Sequence, residues 1–152
     1  MYVIINQEDN VKRGIFMLKR FALIIMPIIT IILQSLPNGV ALAFMGSPGA
    51  EPFIEKFSYF DAFPIGYACF SPFLTAITTC VVLLLLIIYC ITNKSSLLNP
   101  VVVLLFINIV FSLCHYALQI KSITVISVLI TLALVVELVA VLIYKKELST
   151  RE

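Results

Sequence analysis

Pro100 to Tyr144 reads PVVVLLFINIVFSLCHYALQIKSITVISVLITLALVVELVAVLIY. Its only charged side chains are Lys121 and Glu137. As one helix, at about 1.5 Å per residue, it would measure roughly 67 Å. The hydrocarbon core of a bilayer is only about 30 Å thick. The segment must therefore turn back on itself, and the single polar break, Gln119-Ile120-Lys121-Ser122, is where the turn belongs. Two apolar helices follow, over about residues 100–119 and 123–144.

Working outward, Thr75 to Ile91 holds no charged residue, and Phe21 to Leu36 is a further apolar run with Lys19 and Arg20 before it. Runs of this length read as membrane spans. Ser71-Pro72 opens one of them with a capping residue followed by proline at the first helical position. Asn99-Pro100 repeats that grammar. Leu36-Pro37-Asn38-Gly39 closes the first span, and Pro27 inside it should kink the helix and free a carbonyl. Apolar residues make up 62% of the chain and charged ones 12%. The charged share is about half that of soluble domains, which excludes a water-soluble fold. The expected fold is all-α: an integral membrane bundle of four helices at about 20–36, 71–91, 100–119 and 123–144. An aromatic-rich outer loop, 37–70, joins the first two.

Basic residues set the expected orientation. Lys12, Arg13, Lys19, Arg20, Lys94, Lys145, Lys146 and Arg151 fall on one side, and only Lys56 and Lys121 on the other. Both termini are then cytoplasmic in a plasma-membrane protein. Two alternatives stand at the N-terminus. The basic start, apolar run and Ala41-Leu42-Ala43 also fit a cleaved signal peptide, which would leave three spans. Separately, Met17-Leu18-Lys19-Arg20 resembles a translation start, with Lys12-Arg13-Gly14 encodable by a purine-rich stretch upstream. Residues 1–16, polar and without helical periodicity, are expected to be a disordered tail or to lie before the true start, leaving 17–152 as the membrane domain.

The outer loop departs from plain helix. Pro37 to Phe73 holds most of the prolines and glycines of the chain, which argues for turns. Aromatics crowd its second half, and rings of this kind favour the headgroup level. The expectation is a compact lid on the outer interface, carried by Tyr59, Phe60, Asp61, Pro64, Gly66 and Tyr67. Glu51, Glu55 and Asp61 would face water. Pro52 to Phe60 is expected as a short interfacial helix with Phe53, Phe57 and Phe60 on one face.

Ser58-Tyr59-Phe60, then Pro64-Ile65-Gly66-Tyr67-Ala68, then Ser71-Pro72-Phe73-Leu74-Thr75-Ala76-Ile77 resemble uncharacterised small four-span membrane proteins of Gram-positive, gut-type bacteria. The resemblance covers Met17 to about Lys146 and is sharpest over Ser58–Ile77. It implies the four-span fold and no activity. Residues 1–16 depart from it.

Glu137 is the residue most out of place, since a carboxylate inside a bilayer costs at least a few kcal/mol unless it is neutral or paired. Arg20 is its expected partner and Asn108, about 6 Å away along the axis, the second choice. These three form the candidate intramembrane polar cluster. His115, about 16 Å from Glu137 by the same count, is too far for a relay. Thr75, Thr78 and Thr79 are expected to bond carbonyls of their own helix or pack between helices. The cysteines show no C-x-x-C spacing and read as small buried hydrophobes, with a Cys69–Cys114 disulfide as the sharper alternative. Asn93-Lys94-Ser95 is a glycosylation sequon on the expected cytoplasmic side.

No catalytic constellation, metal site or cofactor motif is legible, so no enzyme activity and no cofactor are expected. A net charge of +2 does not point to nucleic acid. Expected partners are the lipid bilayer and either a membrane protein or a second copy of the chain. The expected function is an accessory or interaction protein of the cell envelope. The alternative is an oligomeric small transporter subunit using Glu137 as coupling carboxylate. A membrane enzyme acting on lipid ranks third.

The orientation is checked by single cysteines placed near Glu51 and near Lys94. An impermeant thiol reagent added to sealed cells should label the first alone. Labelling at Lys94 would reverse the topology.

Overall fold

The computed structural model describes residues 2–44, 53–61, 70–118 and 123–150, with side chains described only from Leu18 onward in the first helix. Pro64, Gly66, Tyr67, Cys69 and the turn at 119–122 lie outside the described residues. Helix α1 spans Tyr2–Ser35, α2 Ser71–Thr92, α3 Leu98–Leu118 and α4 Val125–Ser149. Two strands, β1 (Val40–Phe44) and β2 (Phe53–Phe57), follow α1, and a short 3-10 turn, Ser95–Leu97, leads into α3. All four helices are long and apolar enough to cross a membrane.

Each helix buries a stripe that repeats in steps of three and four residues. The stripe is Leu23, Pro27, Thr30 and Gln34 in α1, and Thr75, Thr79, Val82, Leu86 and Tyr89 in α2. It is Leu98, Val101, Leu105, Asn108 and Ser112 in α3, and Ser127, Ile130, Leu134, Glu137, Val141 and Tyr144 in α4. A step averaging 3.5 residues is the geometry of left-handed bundles. The helices pack in a ring: α1 against α2 and α4, α3 against α2 and α4.

The outside of this bundle is as apolar as its core, unlike that of a soluble one. Thr30, Gln34, Thr75, Thr79, Asn108, Ser112, Ser127 and Glu137 are buried, while Phe21, Ile25, Leu84, Phe106, Leu132 and Val136 are exposed. An exterior this apolar would associate in water. Hydrocarbon suits it, and polar groups between helices then serve as links. Cys80 and Cys114 are exposed free thiols and Cys90 is half-buried, so they sit toward the outside of the bundle instead of filling its core.

Several local expectations are corrected. The backbone from Tyr2 is helical and continuous with the first span, which differs from the disordered tail that was one of two expectations and leaves the start-site alternative untouched. No proline interrupts this segment, and extending an existing helix avoids the cost of nucleation. Ser71 does not cap α2. Phe70 holds the N-cap position without a side-chain bond, Pro72 sits in the first turn, and the Ser71 hydroxyl donates to the Phe111 carbonyl on α3. α3 begins at Leu98, so Asn99 and Pro100 occupy its first turn. The effective cap is on α4: Thr124 Oγ1 accepts from Ser127 N at 3.1 Å, as threonine does at this position.

The expected interfacial helix over Pro52–Phe60 is instead a strand. Phe53–Phe57 pairs antiparallel with Val40–Phe44, with Val40 opposite Phe57 and Phe44 opposite Phe53. A helix of so few residues gains little after nucleation. The aromatic and branched content of Phe-Ile-Glu-Lys-Phe favours the pleated alternative. The chain then returns onto the bundle. Tyr59 N–H donates to the Gln34 carbonyl at 2.9 Å, satisfying one of the last carbonyls of α1. Asp61 Oδ2 accepts from Ser58 N at 2.6 Å, and Phe60 N donates to Ser58 Oγ. Tyr59 is fully buried, while Phe60 and Asp61 are exposed. Thr124 Oγ1 donates to the Gly39 carbonyl at 2.8 Å, tying the hairpin end to α4.

A Cβ at Gly39 would lie 2.9 Å from Tyr59 Cδ2. Tyr59 is enclosed and cannot swing away, so Gly39→Ala should destabilise the fold by about 1–3 kcal/mol. Thermal unfolding in detergent measures this. An unchanged midpoint would mean that Tyr59 does not close on the bundle.

Candidate functional site

Two polar layers cross the bundle. The first lies at the basic end, where α1 enters the apolar region and α4 leaves it. Lys19 Nζ contacts both oxygens of Glu147, at 2.7 and 2.6 Å. This pair is exposed, and its net contribution to stability is about 0–1 kcal/mol. Arg20 goes inward. Its Nε donates to Tyr144 Oη at 3.0 Å, its Nη1 donates to Asn93 Oδ1, and its guanidinium lies 5.6 Å from the Tyr89 ring centre. Tyr89 and Tyr144 meet edge to face, with ring centres 6.2 Å apart, and Tyr89 Oη donates to Tyr144 Oη at 3.0 Å. Asn93 is placed by backbone: it ends α2 in the left-handed region at φ 55, donating its N–H to the Tyr89 carbonyl. Asparagine tolerates that conformation better than most residues.

The second layer is nearer the hairpin end. Gln34 Nε2 and Asn108 Nδ2 both donate to Thr79 Oγ1, at 2.9 Å each. Thr79 in turn donates to the Thr75 carbonyl at 2.8 Å. One hydroxyl thus joins α1, α2 and α3. Beside it, Ser112 Oγ and Tyr116 Oη meet Thr131 Oγ1 at 2.6 and 2.7 Å, which joins α3 to α4. The two layers share one register. Arg20 and Gln34 are two heptads apart on α1, and their partners Asn93 and Thr79 are two heptads apart on α2.

Glu137 is fully buried, and neither carboxylate oxygen accepts a hydrogen bond among the described residues. The expected ion pair with Arg20 is therefore not formed. Tyr144 stands one heptad along α4 from Glu137, at the depth of Arg20, so the guanidinium meets the phenol about 10 Å short of the carboxylate. Asn108 gives its amide to Thr79 instead of to Glu137.

Asn108 is nonetheless near Glu137 in depth. Ser112 and Thr131 lie at one level. Asn108 is one turn from Ser112, and Glu137 six residues from Thr131, both toward the basic end, so their backbones differ by only ~3 Å in depth. A second ruler agrees. Tyr89 and Tyr144 are level, which puts Glu137 opposite Val82, about 4.5 Å from Thr79 along the axis. Side chains tilt toward the start of their own helix. In the antiparallel pair α3 and α4, that tilt brings Asn108 and Glu137 toward each other.

Of the candidate residues, Glu137 and Asn108 share one zone, and Arg20 belongs to the other layer. Tyr59, Phe60 and Asp61 lie at the hairpin end, and of the three only Tyr59 is shown to touch a layer, through its N–H on the Gln34 carbonyl. Gln34, Thr79, Tyr89, Asn93 and Tyr144 were not anticipated as members. Their signal was the recurrence of Thr, Gln, Asn and Ser at the 3.5-residue period of the buried stripe. Compared with models of protein families, with curated proteins and with solved structures, the chain matches none.

These contacts fix the outcome of double-mutant cycles. Arg20→Leu and Tyr144→Phe should couple by about 0.5–3 kcal/mol, while Arg20→Leu and Glu137→Leu should add within about 0.5 kcal/mol. Unfolding midpoints of the single and double variants decide between them. Strong coupling of Arg20 to Glu137 would restore the ion pair.

Proposed function

We propose that this is a small multi-pass membrane protein of the bacterial cell envelope that works by association, as an accessory or interaction protein. The excess of lysine and arginine flanking the α1 and α4 ends supports a plasma-membrane orientation with both termini in the cytoplasm. The observation that carries the reading is on the outer surface of the bundle. At the basic end, an apolar groove runs along the seam of α1 and α4, lined by Ala22, Met26, Ala140 and Ile143, with Lys19 and Glu147 among its walls. Small residues in a membrane-facing groove let a further helix approach closely, and close packing is what drives association between helices in lipid. The fitting occupant is a transmembrane helix of another membrane protein or of a second copy.

A second reading is favoured by Glu137, an acid buried in the middle of the apolar region with no hydrogen-bond partner among the described residues. Intramembrane carboxyl groups of this kind mark proton and ion pathways. In that reading two or more copies form a minimal transporter, and Glu137 is its coupling group.

Purification after mild solubilisation, with Ala140→Leu as control, tests the first reading. The wild-type chain should retain a membrane partner or a second copy. Ala140→Leu, which fills the groove, should lose it at least tenfold while keeping its helical content. Equal retention would overturn the groove, and a monomer in both cases would overturn association. Vesicles carrying the chain and a pH-sensitive dye test the second. Proton entry abolished by Glu137→Gln supports a carrier, and no entry with the wild type removes it.

A further inference from the structure

The layer around Thr79 is short of donors. Thr79 Oγ1 gives its only proton to the Thr75 carbonyl, so toward Gln34 and Asn108 it can only accept. Both amides are thereby oriented, nitrogen toward Thr79 and oxygen away. Gln34 Oε1 and Asn108 Oδ1 are buried and accept no hydrogen bond among the described residues, and the same holds for both oxygens of Glu137. With the carboxyl ionised, all of these atoms are acceptors. Three elements of the bundle would then hold unpaired acceptor oxygens within about one helical turn of the same depth, beside an uncompensated negative charge. Buried polar atoms are otherwise paired as a rule, and buried charges neutralise themselves when no counter-ion is present. Among the described residues, the charged groups at the basic end do not supply one. Arg20 is engaged with Tyr144 and Asn93, and Lys19 with Glu147.

We propose that Glu137 and Asn108, with Gln34 beside them, form a binding site for a single proton, held as the neutral carboxylic acid of Glu137 and directed at Asn108 Oδ1. The proton comes from water and leaves to water, and no other bond is made or broken. It turns one acceptor into a donor and removes the buried charge in the same step. It also requires no cavity. The ~3 Å difference in depth between Asn108 and Glu137 and the opposed tilt of their side chains place the two groups at one height on facing helices. Gln34, held on the same hydroxyl, leaves Oε1 as a second buried acceptor without a partner among the described residues. The site stands whichever reading of the function holds, since a bundle that only associates must also neutralise Glu137.

Infrared spectroscopy of the purified full chain in lipid nanodiscs at neutral pH tests it. The wild type should show the carbonyl stretch of a protonated carboxylic acid, moving to lower frequency in D2O and absent in Glu137→Gln. In Asn108→Val the band should persist but rise in frequency, because the acid has lost its acceptor. A wild-type spectrum without the band overturns the site. A band present in sodium-free buffer and lost on adding sodium chloride overturns the proton in favour of an alkali cation. If Glu137→Gln does not fold, the Asn108→Val spectrum decides alone, and an unshifted band overturns the pairing.

Discussion

One oxygen, the hydroxyl of Thr79, holds three of the four helices together. It accepts an amide proton from α1 and another from α3, and returns its own to the carbonyl one turn back on α2. In water such bonds would exchange freely with solvent and add little. Inside an apolar envelope the alternative is an unsatisfied amide, so the geometry of the neighbours follows from the hydroxyl. Gln34 is held at the end of α1, and its own carbonyl receives Tyr59 from the hairpin. Asn108 is held on α3, one turn from the Ser112 contact that sets α4. The placement of Glu137 is thus inherited, through three helices, from a threonine.

The number of apolar helices and the approximate bounds of the last three were legible because lipid-length apolar runs leave little choice. Pro100 to Tyr144 had to reverse near Lys121, and α3 and α4 do end and begin on either side of it. The stripes were less visible. Leucine, isoleucine and valine fill both the buried and the exposed positions, so hydrophobic periodicity, the usual guide to a helix face, carries almost no contrast. In this chain the contrast resides in the small polar residues. Thr75, Thr79, Asn108, Ser112 and Ser127 mark the buried side as leucine would in a soluble bundle.

The misplaced partner of Glu137 has the same origin. Matching Arg20 to it by charge supposed that the long side chain would reach inward for its counter-ion. Two tyrosines and an asparagine already meet it at the depth where it enters, taking two of its five N–H donors and a ring contact without burying the charge further. The strand at Phe53–Phe57 was missed for a different reason. Its pairing partner, Val40–Phe44, had been read only as part of the outer loop, and pairing between segments is not contained in either one alone.

Pro27 sits on the buried face of α1 between the two polar layers, one heptad from Arg20 and one from Gln34. Mechanically, α1 is a beam clamped at both points with its one flaw at midspan. Proline removes a rung of the hydrogen-bond ladder there, so bending concentrates at that site. The clamps oppose sliding along the axis, because a shift of one turn would break both layers at once. What remains soft is a lateral bow of the middle of α1. The same heptad count along α4 from Tyr144 brings Glu137 to that height, so the most compliant point of the helix wall stands level with the buried acid.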